Sequence, residues 1–413
     1  MNLNEAKELM LRRSNAFHER YFTAYGQLMV RLDRKTYAKS RPNLRLSKLT
    51  ADDIGTYNIH TGDIGKLFRS HRDVNAIVFV CTEAATRFSM NEGPMLPMLD
   101  DLAQIIGPDV PVCASAKEAN KALKTRRGCF LHGSGILAVG STLEEAIAGA
   151  RIIEKGAEAE MFADKVHGLE YLSPAQAADL HRFYDRTYSI VNKTGQADFI
   201  NSGPEEFRLR SKIIEAGKKM SWEDLVQGSW GNISVRLNDD MMLITPTGMD
   251  YFDIRMEDIV RVNIHTLEYG PQRKPSSECR LHAALYRKYP ECNAVIHTHS
   301  NGISVFSAGH AGFRITDEVL KPVIGDLRCS QYQTPGTDEL CESVLEALEG
   351  SHACIVANHG AVFYSSSLEL ALSIADAVES RACNLLDFGT TIHSREFAVD
   401  TNATREEQEG GLS

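Results

Sequence analysis

Three histidines and a glutamate in the C-terminal half of the sequence have the types and spacing of a metal site. His297 and His299 follow the apolar run 294–296, which has the composition of a buried strand. Because side chains alternate between the two faces of a strand, both histidines project to the same side and can hold one ion. His359 follows a second apolar segment, and Glu278 precedes His297 by 19 residues at the predicted start of a helix. Three imidazoles and a carboxylate suit Zn²⁺, with Mn²⁺, Co²⁺ or Fe²⁺ as alternatives.

A second group of residues in the same half is typical of a pocket for an anion. Its members combine small or hydroxyl side chains with backbone N–H groups at turns and at a helix start. They are Gly231, Asn232, Thr247, Gly248, Ser276 and Ser277. N–H groups at the beginning of a helix bind phosphate, and the helix dipole adds a favourable field. The same residues also suit ordinary turns and a helix cap, so the pattern predicts a phosphate pocket only in combination with the metal site.

The chain contains two similar halves. Four groups of matching residues recur in the same order, at offsets that rise from 205 (position 26 to 231) to 225 (position 129 to 354). The clearest matches join 26–32 to 231–237 and 75–78 to 293–296. Collinear matches over most of the chain indicate a duplication rather than the chance similarity of two strand–turn–helix units.

The candidate metal ligands occur in only one of the two halves. The N-terminal half has Phe79, Cys81 and Ser134 at the positions of the three histidines, and it lacks the segment that carries Glu278. Since strand positions are kept while all four candidate ligands are lost together, the four behave as one site. We therefore predict a metal site in the C-terminal half and none in the N-terminal half.

Periodicity and turn signals predict the elements around these residues. Helical spacing covers 207–219, 277–289 and 368–386, and strand patterns cover 231–237, 241–244 and 293–299. These segments indicate an α/β fold in each half. We predict a domain of residues 1–193 and a second domain of residues 196–400, with a boundary near 194–196. We predict that the tail of residues 401–413 is disordered.

Composition excludes several classes of function. The 413 residues include 45 basic and 55 acidic side chains, and the resulting net charge of −10 disfavours broad affinity for nucleic acid or membrane surfaces. No apolar stretch approaches the length of a membrane span, and the N-terminus lacks the pattern of a secretory signal. Nine cysteines without a CxxC pair indicate reduced thiols. We predict a soluble, cytoplasmic protein that binds neither nucleic acid nor membrane.

Taken together, the motifs of the C-terminal half resemble those of the class II aldolase/adducin family. The resemblance covers about residues 205–390 and rests on six motifs in order: Gly231-Asn232-Ile233-Ser234, Ile244-Thr245-Pro246-Thr247-Gly248, Pro275-Ser276-Ser277-Glu278, His297-Thr298-His299-Ser300, Pro335-Gly336-Thr337 and Asn358-His359-Gly360. It implies two tandem three-layer α/β/α domains, each around a mainly antiparallel sheet, of which the N-terminal one is degenerate. It also implies that His297, His299 and His359 bind the metal, and that Glu278 is a ligand or an acid–base group.

The activity that the resemblance implies is that of a metal-dependent aldehyde-lyase. Such an enzyme cleaves a ketose phosphate to dihydroxyacetone phosphate and an aldehyde through a metal-stabilised enediolate. Glu278 would move the proton, and the substrate phosphate would be held by Asn232, Thr247, Gly248, Ser276 and Ser277. The alternatives are a pentulose-phosphate 4-epimerase or a sugar-phosphate dehydratase using the same site, and a non-catalytic adducin-like interaction module.

Two further expectations concern neighbouring subunits. Aldolases of the family resemble one another in using a tyrosine from an adjacent subunit as an acid, but segment 313–318 contains none. We predict a structural role for Tyr332, so the acid is unassigned. Because active sites of the family lie between subunits, we expect a homo-oligomer. In this hypothesis the N-terminal half replaces a neighbour, and two chains form a pseudo-tetramer with two working sites.

Overall fold

A computed structural model describes residues 1–17, 24–187, 203–271, 273–318 and 320–388, in which each half of the chain builds its own sheet. The helices of the N-terminal half are α1 (Leu3–Ser14), α2 (Gly62–Ser70), α3 (Glu83–Ser89), α4 (Asp100–Ile106), α5 (Ala116–Ala122), α6 (Leu143–Met161) and α7 (Pro174–Thr187). Its strands are β1 (Tyr25–Arg31), β2 (Thr36–Ser40), β3 (Leu44–Arg45), β4 (Ile54–Asn58), β5 (Ala76–Cys81), β6 (Val112–Cys113), β7 (Gly128–Leu131) and β8 (Gly135–Gly140).

The C-terminal half follows with a similar series of elements. Its helices are α8 (Pro204–Trp222), α9 (Cys279–Lys288), α10 (Asn301–Ala308), α11 (Lys321–Ile324), α12 (Asp338–Ala347) and α13 (Leu368–Leu385). Its strands are β9 (Asn232–Arg236), β10 (Met241–Ile244), β11 (Val260–Asn263), β12 (Ala294–Thr298), β13 (Phe313–Arg314), β14 (Asp326–Cys329), β15 (Ala353–Val356) and β16 (Gly360–Ser365). The predicted boundary near 194–196 and the predicted disordered tail of 401–413 lie outside the described residues.

The two eight-stranded sheets share one order over seven strands. The first runs β4-β2-β1-β5-β8-β7-β6 with β3 paired to β1, and the second runs β11-β10-β9-β12-β16-β15-β14-β13. Each sheet has one parallel pair, β6 with β7 and β14 with β15, and the other pairs are antiparallel. The predicted fold class, two tandem α/β units around mainly antiparallel sheets, is confirmed. The common order also supports the duplication inferred from the sequence.

Alternate residues along the central strands face two different helical layers. In β12, Ala294 and Ile296 belong to a core that contains residues of α6, α10 and α13, whereas Val295 belongs to a core with residues of α9 and α12. In β5, Val78 and Ile77 divide in the same way. Each sheet is therefore covered on both faces, and the core on the side of α6 and α13 is common to the two halves. No helix in the described ranges is long and apolar enough to cross a membrane.

Equivalent hydrogen bonds attach a short helix to a long helix in each half. Thr82 caps α3 by accepting from the N–H of Ala85 at 3.1 Å, and its hydroxyl donates to Glu154 of α6. Ser300, which precedes α10, donates its hydroxyl to Glu379 of α13 at 2.7 Å. Thr82 corresponds to Ser300 and Glu154 to Glu379 in the sequence repeat, so the repeated residues make the same contact twice.

Two carboxyl groups of α6 are buried where the halves meet. Burial raises the pKa of Glu154 to about 7, although the hydrogen bond from Thr82 and the charge of Arg151 oppose the shift. Burial and repulsion by Glu154 also raise the pKa of Glu158. Glu158 accepts a hydrogen bond from the side chain of Asn301 in α10, at 2.7 Å. Glu158 therefore joins the halves through Asn301, and Glu154 is partly protonated near neutral pH.

We expect the stability of the fold to decrease as the pH rises from 5 to 8. A glutamate in an unfolded chain has a pKa of about 4.3, so the raised pKa of Glu154 stabilises the fold below that value. This contribution is lost as the pH rises through the folded pKa, at up to about 1.4 kcal/mol per pH unit for one carboxyl group. The variant E154Q keeps an acceptor for Thr82 but cannot ionise. The free energy of unfolding, measured with urea, should therefore depend less on pH in this variant.

The matched control is E145Q, which changes an exposed glutamate near the start of the same helix. Its free energy of unfolding should change with pH as it does in the unchanged chain. An E154Q variant with that same pH dependence would show that Glu154 does not ionise as described.

Candidate active site

The second sheet brings the four predicted ligands to one end of β12. His297 lies opposite Asn232 of β9 in the strand register, and His299 is one residue beyond the end of β12. His359 lies in the turn between β15 and β16, and Glu278 is the residue before α9. The side chains of all four predicted ligands are buried.

Close packing of the backbone fixes the turn that carries His359. Asn358 has a φ of 56°, in the left-handed region that few residues other than asparagine and glycine adopt readily. At Gly360, a Cβ atom would lie 2.1 Å from the carbonyl oxygen of Thr298. Only glycine lets β16 approach β12 this closely, so the turn places His359 beside the histidines of β12.

The atoms that face the centre of the site lie within contact distance of one another. Nε2 of His297 is 2.8 Å from Nε2 of His299 and 3.2 Å from Oε2 of Glu278, and Nε2 of His359 is 2.8 Å from Oε1 of Glu278. Nδ1 of His297 is 2.9 Å from the carbonyl oxygen of Ala361. Because a carbonyl oxygen can only accept, Nδ1 carries the proton and Nε2 presents its lone pair to the centre.

This donor set fits a divalent cation. One ligand atom from each of the three histidines lies within 4.8 Å of the others, and the Glu278 carboxylate is beside them. Three imidazoles and a carboxylate are donor types that Zn²⁺ and similar divalent ions bind. An outer imidazole nitrogen that donates to a carbonyl, as in His297, is also typical of metal-bound histidine. His297, His299 and His359 therefore form a group that can hold a metal ion.

Burial and mutual charge set the protonation states of the group. Burial lowers the pKa of His297 to about 4 and that of His299 to about 3, so both are neutral at pH 7. Burial opposes charge on His359 as well, but Glu278 and Asp100 outweigh it and raise its pKa to about 10. Burial would raise the pKa of Glu278, yet His297 and His359 hold it well below its usual range. Glu278 is thus an ionised carboxylate.

A cavity of about 670 Å³ opens onto the centre. Glu278, His299 and His359 lie at its base, and one wall contains all the residues predicted to form the anion pocket, namely Gly231, Asn232, Thr247, Gly248, Ser276 and Ser277. Lys274 also lines the cavity and adds a positive charge. The sequence analysis did not include Lys274. Its place directly before the Pro275-Ser276-Ser277 motif could have indicated that it belongs to the anion pocket.

Asn232, which we predicted to bind phosphate, lines the cavity and also contacts Glu278. Its buried side-chain amide donates to Oε2 of Glu278 at 2.7 Å. This contact holds the Glu278 carboxylate beside His297, and the phosphate contact of Asn232 stays a prediction.

The N-terminal half supplies residues that the sequence analysis did not identify. Asp100 and Asp101, at the start of α4, lie beside His359 and His299 respectively. Tyr332, for which we predicted a structural role, lines the cavity and donates its hydroxyl to Asp100 at 3.1 Å. Spacing within one half carries no signal for such contacts, because they join residues from different halves.

Comparisons with known proteins agree with this geometry. A family model described as Class II Aldolase and Adducin N-terminal domain matches residues 15–161 and 211–386, most of both halves. The chain belongs to the class II aldolase and adducin family.

Three proteins that resemble this class II aldolase carry aldolase names. L-fuculose phosphate aldolase of Escherichia coli (strain K12) is 35% identical over 176 residues, which cover 42% of this chain and 81% of that protein. A 5-methylthioribulose-1-phosphate/5-deoxyribulose-1-phosphate aldolase of Rhodospirillum rubrum is 36% identical over 175 residues, covering 42% and 78%. A solved L-fuculose 1-phosphate aldolase is 33% identical with a TM-score of 0.41, covering 44% of this chain and 88% of its own. The predicted family and enzyme class are confirmed.

We expect the purified aldolase to bind one divalent ion per chain rather than two, because only the C-terminal half has the ligand set. Removing one donor in H297A or H359A should weaken binding by more than about tenfold, since even changes to residues that support a ligand can cost that much. Metal content after dialysis against Zn²⁺, measured by mass spectrometry, checks both statements.

The variant H265A, which alters an exposed histidine of the same half, should retain its metal. Two ions per chain, or full occupancy in both H297A and H359A, would contradict the assignment of the site.

Proposed function

We propose that this class II aldolase is a metal-dependent lyase that cleaves a ketose phosphate to dihydroxyacetone phosphate and an aldehyde. The observation that supports it most is that three imidazoles and Glu278 meet beside a cavity whose lining includes the residues predicted to bind phosphate. We propose Zn²⁺ as the metal, with Mn²⁺, Co²⁺ or Fe²⁺ as alternatives that the same ligands accept.

Different residues of the site would have different roles in this reaction. A bound divalent ion would supply Lewis-acid polarisation of the carbonyl and neighbouring hydroxyl oxygens of the substrate. In the cleavage direction the C3–C4 bond breaks, the C4 hydroxyl loses its proton and carbon C3 gains one. Glu278 would take up the proton that the C4 hydroxyl releases and deliver it to C3, since its buried carboxylate lines the cavity and is held in place by Asn232. The phosphate would lie at the start of α9, against Asn232, Thr247, Gly248, Ser276 and Ser277.

The outer wall of the cavity favours a substrate with an apolar end. The part of this wall that α7 forms includes the apolar Leu180 and Phe183 beside the polar Gln176 and Asp179. The ring of Trp230 lies 5.4 Å from the ring of His299, and Tyr184 stacks on Trp230 at 6.3 Å. Such surfaces contact a methyl or methylthio group better than a hydroxyl group. We therefore propose ketose 1-phosphates with a deoxy or methylthio end, in line with the substrates for which the Rhodospirillum relative is named.

An assay of released dihydroxyacetone phosphate tests the reaction and its substrate together. We expect cleavage of 5-deoxyribulose, 5-methylthioribulose and L-fuculose 1-phosphates. The kcat/KM for 5-deoxyribulose 1-phosphate should exceed that for ribulose 1-phosphate by about tenfold or more, the usual effect of a hydroxyl group in an apolar pocket. The variant E278Q should lose at least about 100-fold in kcat, since it cannot carry a proton.

The control for E278Q is E268Q, an exposed glutamate on the loop after β11, which should keep full activity. A C4-epimerised product without dihydroxyacetone phosphate would instead favour the 4-epimerase, and loss of water would favour the dehydratase. No conversion of any of these sugar phosphates would contradict the proposal.

The domain limits of 1–193 and 196–400, the cytoplasmic location and the oligomer are further proposals. Asp100 and Asp101 of the N-terminal half contact the active-site histidines of the same chain. This supports the part of the hypothesis in which the N-terminal half takes the place of a neighbouring subunit. If two chains form the pseudo-tetramer, light scattering should give about twice the 45.8 kDa of one chain. A monomer at all concentrations would contradict it.

A further inference from the structure

Two aspartates of the N-terminal half reach the histidines that would bind the metal in the other half. Oδ2 of Asp100 is 2.9 Å from Nδ1 of His359, and Oδ2 of Asp101 is 3.3 Å from Nδ1 of His299. Both aspartates are buried, at the first two positions of α4. We propose that Asp100 and Asp101 are positioning residues, through which the half without ligands completes the metal site of the half that has them. This inference rests on the proposed metal-dependent function.

The chemistry of imidazole explains why such acceptors matter. An imidazole binds a metal through one nitrogen only if the other nitrogen carries the proton, and an acceptor at that second nitrogen fixes both the tautomer and the ring orientation. His297 has this acceptor in the carbonyl of Ala361, from its own half. For His359 the acceptor is Asp100, and the carboxylate beside Nδ1 of His299, at 3.3 Å, is that of Asp101; both belong to the N-terminal half. Two of the three imidazoles therefore face carboxylates across the junction of the halves.

Asp101 is itself held by a buried cation. Lys155 of α6 donates to Oδ2 of Asp101, and it also lies 3.3 Å from the backbone oxygen of His299, to which it donates. Lys155 and Asp101 are both almost completely buried, so neither charge has water as an alternative partner. The pair therefore fixes both the side chain and the backbone of His299 from the N-terminal half.

Asp100 is one of several residues that form hydrogen bonds with the turn that carries His359. Its backbone N–H donates to the carbonyl of Asn358 at 2.7 Å. The side-chain amide of Asn358 donates in return to the carbonyls of Met98, at 2.9 Å, and Glu170, at 2.7 Å. Tyr332 donates to the second oxygen of the Asp100 carboxylate. The turn that carries His359 is thus held by hydrogen bonds with Met98, Asp100 and Glu170 of the N-terminal half.

The test measures ion affinity in the full-length apo chain, so that it does not depend on the substrate. Zn²⁺ affinity would be determined against a competing chelator, and Co²⁺ binding would be followed by its visible absorption spectrum. We expect D100N to bind either ion about 10 to 100 times more weakly than the unchanged chain, with an altered Co²⁺ spectrum. Thermal melting of the apo proteins reports whether each variant remains folded.

Asp101 requires a paired variant, because D101N leaves Lys155 buried without its carboxylate and can unfold the chain. The double variant D101N/K155M removes both charges, and we expect it to melt as a folded protein with similarly weakened ion binding. The control is D109N, which breaks the ion pair of Asp109 with Arg126 in the same half, away from the cavity. It should bind both ions like the unchanged chain.

The outcomes separate this inference from the proposed function. Folded D100N and D101N/K155M proteins with unchanged Zn²⁺ affinity and an unchanged Co²⁺ spectrum would overturn the positioning role while leaving the aldolase proposal intact. An unchanged chain that binds no divalent ion would overturn both. Weakened binding in the two variants but not in D109N would support the inference, since a role in folding alone would not alter the Co²⁺ spectrum.

Discussion

Three buried imidazoles lie with ligand atoms within 4.8 Å of one another, and the buried carboxylate of Glu278 is 3.2 Å from His297 and 2.8 Å from His359. In water each of these groups would be solvated separately, but here they face one shared space beside the cavity. Polar and charged groups buried this close together are stable only with partners of complementary charge or hydrogen-bonding capacity. The surrounding structure provides acceptors at Nδ1 of His297 and of His359 and a donor, Asn232, at Glu278.

Each element near the site meets one part of this requirement. The alternation of β12 turns His297 and His299 to the side of α9, and α9 begins directly after Glu278. The left-handed turn at Asn358 and the absence of a side chain at Gly360 bring His359 against the same strand. The start of α9 also places its free N–H groups beside the metal ligands, so one helix end contributes both the carboxylate and the phosphate wall. The cavity is therefore a consequence of how these three segments meet.

The parts of the site that depend on local pattern could be predicted from the sequence. The spacing of His297 and His299 follows from the period of a strand, and the comparison of the halves separated ligands from packing residues. The strands and long helices were predicted for the same reason, since burial imposes their periods on the chain. Asp100 and Asp101 could not be found in this way. Asp100 and His359 are 259 positions apart, and their meeting depends on how one half packs on the other.

The duplication explains why this packing matters. In the N-terminal sheet Phe79 lies opposite Gln27, in the register in which His297 lies opposite Asn232, so the strand framework persists where the ligands do not. A half kept only for stability would be expected to meet its partner through apolar groups, since a buried ion pair stabilises a fold no better than well-packed apolar side chains of similar size. Besides the apolar core that the halves share, the junction contains the buried pair of Lys155 and Asp101 beside His299. Charges placed there at no gain in stability are accounted for by the proposed orientation of the imidazoles. In that proposal the N-terminal half, which lacks histidines at the equivalent positions, contributes to the site of its twin.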